Sequence, residues 1–572
     1  MNDEHDASAA LIDEADRLED EWRWDDALLA WDAVRERGVA EVDERLQGEG
    51  EIGRGRVLFS LGRVDEALAA NQAATAHFEA AGDPAMAQLG VANTAWQEGM
   101  RGEVDAALDT AFGARAAIDA LGDDPAAVVP GARVGQVLGR LLFAADRPDE
   151  GAAAYLEARG RYADAGDDRR LGRCDAALAV ELLATGRLDE AEARAEAAVA
   201  AFSVLDGGVD LGRTEVLMGR IRAQDERPAD AVPSFERGAE IFVGLDLPGF
   251  AAEAHHLAGV CLALTGEDDD AVDHLEAAIE LAERTGNTSG AAASRLELGP
   301  ALARLGHDEG AVAEIEAGRA GMAEVGDAAG AARASYALGL LHRERGRPDD
   351  ALSQLNVAAE LFDQVEMRGA AAQARLDGGT LRDVMAHQVE PVDTAGVAEA
   401  RSLMEQAIAG FEAEGDERFV ALARRAWGTS TGFAGGEDGL VAIDEARAVL
   451  ARHEVPWEVA ECDAAAARVL GHAGRFEEGA QRAGAAVEGF QEAGDAMATG
   501  GAALLLGQLL ADGGQLEAAE SIFEQTVALG TQVDVPALAG RAHVALGAIL
   551  AATGRDDEAA THRQAAERLL AP

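Results

Sequence analysis

Lysine is missing from this chain: all 49 of the basic residues among its 572 are arginine. That excludes every chemistry that needs a titratable amine on a flexible stem, including Schiff-base formation, the lysine of a phosphate-binding loop and the strand lysine of a kinase fold. Cysteine is nearly absent as well. Cys174, Cys261 and Cys462 are odd in number and far apart, so they offer neither a disulfide framework nor a paired ligand spacing. Buried structural thiols in a reducing compartment are expected. Aromatic residues make up only 4% of the chain. No apolar run reaches the roughly 18 residues that a membrane span requires. The first residues, Met1 to Asp6, are acidic where a secretory signal is basic and then apolar, so a cytoplasmic location is expected.

Acid is abundant. The 105 Asp and Glu residues leave a formal charge of −56, which opposes the approach of nucleic acid or an anionic membrane surface, and neither is expected as a partner. GC-rich coding is the first explanation for arginine without lysine and a salt-adapted cytoplasm the second, and neither implies a function. Hydrophobic residues amount to 48% and are dominated by Ala with Leu and Val, small side chains suited to closely packed helices.

An internal period organises the chain. Glycine recurs at Gly62 and Gly102, at Gly186, Gly266, Gly306 and Gly346, and at Gly474, Gly514 and Gly554, on a step of 40 residues. Trp22, Asp146 and Glu226 fill the same slot, with four extra residues between Gly102 and Asp146. Five residues after each anchor a small residue returns, as at Ala191, Ala271 and Ala351. Sixteen after it a bulky one often does, as at Phe202, Phe242 and Phe362.

Within one unit the apolar positions have helical period: Ala334, Leu338 and Leu341 on a first segment, then Ala351, Leu355, Ala358 and Phe362 on a second. Each unit is therefore expected to be a helix hairpin. Gly346 ends its first helix in the left-handed conformation, and Asp349 is expected to accept from the open N–H groups that begin the second. Gly62 to Asp65, Gly102 to Asp105, Gly186 to Asp189 and Gly266 to Asp269 repeat that spacing. Pro148, Pro228 and Pro348 fall where no helical N–H is required. A second turn at Gly82-Asp83, Gly122-Asp123, Gly166-Asp167, Gly286-Asn287, Gly326-Asp327 and Gly494-Asp495 is expected to stop one hairpin and cap the next.

Leu338-Gly339 on the first helix, with Ala351 early in the second and Ala358 seven residues on, resembles the tetratricopeptide signature. Leu138-Gly139, Leu298-Gly299, Leu506-Gly507 and Leu546-Gly547 repeat its first element, and Gly219 and Gly259 occupy the same close-packing slot. The period is longer than the usual 34 residues and overlaps the range of HEAT and armadillo units. It is similar to a forty-residue variant found in cell-polarity scaffolds and in the regulatory tails of signalling ATPases. The resemblance implies an all-α fold, a right-handed α-α superhelix of about fourteen hairpins. The array is expected over residues 1–385, interrupted by an inserted loop at 386–397 around Pro391, with the second helix resuming near Ala398, and continuing over 398–572. The polar helix from Asp557 to Arg568 and the irregular first unit around Trp22, Trp24 and Trp31 are expected to cap its ends.

Motifs for catalysis and metal binding stand in unsuitable contexts. Gly428-Thr429-Ser430-Thr431-Gly432 satisfies the nucleophile-elbow pattern, which would make Ser430 a serine hydrolase nucleophile, but the residues before it read as a repeat helix rather than a strand. His255 and His256 are adjacent on a helix and face different directions, and no metal or cofactor is expected. Asn287-Thr288-Ser289 matches a glycosylation sequon by chance.

What the resemblance leaves open to function is the inner surface. In such arrays the first helix of each hairpin lines the concave groove, at positions six before and one after its small residue. Those slots hold Arg133 and Arg140 around Gly139, Arg173 before Ala179, Arg213 and Arg220 around Gly219, Arg333 before Gly339 and Arg541 before Gly547. The first five form a candidate peptide-binding strip, because a guanidinium fork meets a carboxylate with two parallel hydrogen bonds. Asp175, Glu181 and Glu215 lie near in sequence and compete for those arginines. The expectation is a non-enzymatic scaffold holding an acidic or carboxylate-bearing segment of another protein. A signal-receiving protein acting on a separate transcription regulator or ATPase is the alternative. The chaperone-tail binders of the family use Lys with Asn, and this chain has no Lys.

Overall fold

The computed structural model describes residues 2–205 and 208–571, which form twenty-eight α-helices, α1 to α28 in chain order, with no strand among the described residues. They fall into two compact units, Met1–Asp308 and Glu309–Pro572. In each unit, helices pack on their sequence neighbours, and the first helices of successive hairpins also touch, as α5 (Pro84–Met100) does α7 (Pro125–Ala144) and α25 (Ala496–Asp512) does α27 (Pro536–Ala552). The architecture is an all-α, superhelical repeat fold.

Local chemistry explains the hairpins. All nine glycine anchors take positive φ, and so do Trp22 (59°), Asp146 (58°) and Glu226 (56°) in the slot that the sequence assigns to them. A left-handed residue turns the chain out of the first helix and lets the next begin two residues later. At the other turn the side chains of Asp83, Asp167, Asn287, Asp327 and Asp495 accept from the N–H three residues on, at 2.8–3.1 Å, and cap the following helix. One cap is displaced: Asp124, not Asp123, accepts from Ala126 N.

The second helices start differently from expectation. Asp349 lies inside the first turn of α18 (Pro348–Gln364) and accepts nothing as a cap; the cap position belongs to Arg347, which has no side-chain capping bond. Asp65, Asp105, Asp189 and Asp269 are likewise second helical residues. A cap must precede the first helical residue, so these carboxylates act on the helix dipole instead. Arginine at the cap pairs with glutamate three residues on in five units, for example Arg63 with Glu66 at 2.7 Å and Arg475 with Glu478 at 2.6 Å.

Small residues set the packing distance. Ala351 and Ala358 are fully buried. A Cβ on Gly139 or Gly219 would lie 2.6 Å from the ring of Tyr155 or Phe235. On Gly259 it would lie 2.6 Å from Leu275, on Gly339 2.8 Å from Leu355 and on Gly507 2.5 Å from Phe523. Gly547 is looser, 3.3 Å from the Arg563 stem, and Gly299 is buried in its helix. The three cysteines are free and buried, and burial pushes the thiols of Cys174 and Cys462 up to about 12 and that of Cys261 upward.

The insertion is shorter as a loop than expected. Helix α19 (Arg368–His387) runs through residues 386 and 387, and α20 (Thr394–Glu414) starts four residues before Ala398, leaving 388–393 between them. These helices have 20 and 21 residues against 17 in α18, so helix lengthening absorbs much of the added chain. Asp393 caps α20 through Gly396 N at 3.0 Å and pairs with Arg382 at 2.7 Å.

Candidate functional site: the inner face of the first helices

In the unit spanning Met1–Asp308, the five candidate arginines come from three helices that are each the first of their hairpin. Arg133 and Arg140 belong to α7, Arg173 to α9 (Asp168–Ala184), and Arg213 and Arg220 to α11 (Gly208–Gln224). They line three clefts. One of about 530 Å³ takes in Arg173, Arg213 and Arg220, one of about 330 Å³ Arg133 and Arg140, and one of about 300 Å³ Arg133 and Arg173 with Arg56, Arg169 and Arg170.

Most of these guanidinium groups already have partners within the fold. Arg173 Nη2 lies 2.5 Å from Asp20 and its Nε 2.8 Å from Asp210. Arg220 pairs with Glu253. Arg140 stands 3.9 Å over the Trp96 ring and Arg213 4.2 Å over that of Trp22, both within cation–π range. Arg133 has no hydrogen bond or ion pair among the described residues. Burial, reinforced by the nearby positive charge of Arg56, brings its pKa down to about 10. Burial also lowers that of Arg213.

Sequence period did not disclose what faces the arginines. The corner between α1 (Asn2–Asp20) and α2 (Trp24–Glu41) reaches across about 150 residues of chain: Asp20 meets Arg169 at 3.0 Å as well as Arg173, and Trp22 packs edge-on to Phe250 at 5.2 Å. Asp16 and Glu19 pair with Arg56 at 3.1 and 2.9 Å. Such contacts carry no periodic signal.

The unit spanning Glu309–Pro572 has its own cleft of about 700 Å³. Its lining includes Glu461, Arg468, Gly501, Gln508, Arg541 and Ala548, which are the six-before and one-after slots around Ala467, Gly507 and Gly547. Arg468 and Arg541 carry no hydrogen bond or ion pair among the described residues, and neither does Arg333. The slot rule, which already takes alanine at Ala179, finds Arg468 when it is applied around Ala467.

A tetratricopeptide-repeat family model matches residues 216–287 and 504–571. The chain carries tetratricopeptide repeats. Among solved structures it is similar to the apo form of RapI, with 13% identity over 65% of this chain and 99% of that one at a TM-score of 0.49. It is also similar to a signal-transduction ATPase with numerous domains and a tetratricopeptide-repeat sensor, from Pyrococcus horikoshii, with 11% identity over 77% and 72% of the two chains at 0.45. A Rap protein complexed with competence and sporulation factor shows 16% identity over 67% and 99% at 0.36. No residue role passes from any of them to this chain. No curated protein matches it in sequence.

The tetratricopeptide hairpins account for the stray motifs. Ser430 is fully buried in the last turn of α21 (Glu417–Phe433), and its Oγ donates to Asp383 Oδ1 at 2.5 Å. A nucleophile elbow needs a strand before the serine and an exposed hydroxyl, and this position offers neither. His255 and His256 do face different neighbours, His274 and Ser294. Among the described residues no group of three His, Cys, Asp or Glu could hold a metal, and no helix is long and apolar enough to cross a membrane.

Proposed function

We propose that the chain is a non-enzymatic interaction scaffold that holds a carboxylate-bearing segment of a partner protein against the inner face of residues 125–253, with Arg133, Arg140, Arg173, Arg213 and Arg220 as contacts. The observation that carries this reading is Arg133. Acids outnumber arginines by more than two to one in this chain, yet its guanidinium sits at the junction of two clefts with the charge of Glu49 nearby but no carboxylate in hydrogen-bond or ion-pair contact among the described residues. A half-buried cation without a direct ion pair in the free protein gains one from a ligand that brings the anion. Carboxylate suits the site because the guanidinium fork donates to both of its oxygens at once. Binding through side chains on rigid helices gives stoichiometric capture rather than turnover.

The test is capture of partners from a cell lysate by the wild-type protein and by Arg133→Met with Arg140→Glu, compared by quantitative mass spectrometry. Partners are expected to fall at least about tenfold in the variant, the loss associated with about 1.4 kcal/mol, while its circular dichroism stays unchanged. An identical partner list from both proteins refutes the assignment of this face.

A further inference from the structure

The α1–α2 corner occupies the same face that the proposed partner would use, and its chemistry is specific. Asp16, Glu19 and Asp20 lie within about one turn at the end of a helix and supply carboxylates to Arg56, Arg169 and Arg173. Two residues beyond Asp20, Trp22 lies under Arg213 and against Phe250. Trp22 does so from a left-handed backbone conformation, in the slot that most units fill with glycine. A large aromatic residue is disfavoured there on backbone grounds, so its presence answers to what its ring touches.

We propose that this corner is a resident occupant of the groove. The partner segment then has the same chemistry, carboxylates one helical turn apart followed within two or three residues by an aromatic side chain, and binds by displacing the corner. The inference rests on the groove reading above and adds to it the kind of ligand and the competition. The arrangement is suited to exchange. Asp20 is about one-third exposed and its arginine partners about two-fifths, and ion pairs of this exposure shift an equilibrium only about fivefold or less each. No backbone ladder or extensive helix packing joins the corner to α9 or α11 among the described contacts, so opening breaks side-chain interactions only.

The probe is a fluorescein-labelled synthetic peptide copying residues 8–24 of this chain, followed by anisotropy against full-length proteins. Wild type is expected to bind it weakly. Asp20→Asn with Trp22→Ala, which empties the groove, is expected to bind it about 10–100-fold more tightly, the sum of a few contacts of this class. Adding Arg173→Glu to that variant abolishes the gain. Asp20→Asn alone serves as a milder opening, expected to gain severalfold, should the double variant melt early. Equal binding by wild type and both opened variants, or a gain indifferent to Arg173→Glu, overturns the inference. Absence of binding to every protein overturns it too, whereas the groove reading is judged separately by lysate capture.

Discussion

Replacing Arg133 with methionine should stabilise the free protein, against the usual outcome of a mutation in a packed fold. A fall in pKa from the ordinary arginine value to about 10 means that holding the charge in the folded state costs about 3 kcal/mol relative to water. Part of the residue remains exposed, so solvent screening reduces this to ~2 kcal/mol. Methionine keeps a similar apolar stem and removes the charge. The sign follows from linkage. Since the folded pKa lies below the unfolded one, the penalty is complete at neutral pH and is relieved only as pH rises above about 10. For a unit of this size ~2 kcal/mol raises a melting transition by about 4 °C. Differential scanning calorimetry at pH 7 reads it, and a ligand carboxylate should narrow the gap by stabilising wild type alone. A variant that melts lower by several degrees would refute the reasoning, because it would show that the guanidinium is satisfied in the free protein.

Glycines in equivalent slots should respond with opposite signs. Gly219→Ala pushes a methyl to 2.6 Å from the Phe235 ring and should cost about 1–3 kcal/mol, whereas Gly547→Ala meets a flexible arginine stem at 3.3 Å and the Ala559 carbonyl at an ordinary contact of 3.4 Å and should gain about 0.5 kcal/mol; thermal melts of the pair check both. His255 with His274 and His543 with His562 share contacts of 3.0 and 2.8 Å between Nδ1 atoms, at positions 288 residues apart in the repeat. Burial first, and the facing histidine second, lower the pKa of His255 and His543. Stability should therefore drop as pH falls below the ordinary value near 6.5, and His274→Gln with His562→Gln should flatten that part of the profile in melts between pH 7 and 5. Ser430→Ala should destabilise by about 1–3 kcal/mol by leaving the Asp383 carboxylate short of a donor, and the wild-type protein should stay unlabelled by an active-site phosphonate.

The hairpins were legible because they repeat. A slot that recurs every forty residues identifies itself even when Trp22, Asp146 or Glu226 replaces glycine, since the turn demands one backbone conformation regardless of side chain. Asp349 was misread because a Gly-x-x-Asp spacing suits either a cap or a second helical residue, and a two-residue difference in where the helix begins decides between them. The loop after His387 was overestimated because Pro391 marks a break without saying how far the flanking helices extend towards it. The groove slots followed from the family's geometry and fall together in the cleft around Arg468 and Arg541. Which arginines are free did not follow, because Asp20 reaches Arg173 only through the path of the folded chain, and nothing local in either segment records the meeting.

The three buried cysteines give the molecule a set of internal clocks. The thiolate is the reactive species, and burial raises every one of these thiols above its ordinary pKa. A disulfide-exchange reagent at neutral pH must therefore wait until the surrounding helices part. Cys174 and Cys261 time that event for the unit spanning Met1–Asp308, and Cys462 times it for the other. A single cysteine introduced on the surface would react at once, so dyes could be placed site-selectively without first removing the native three.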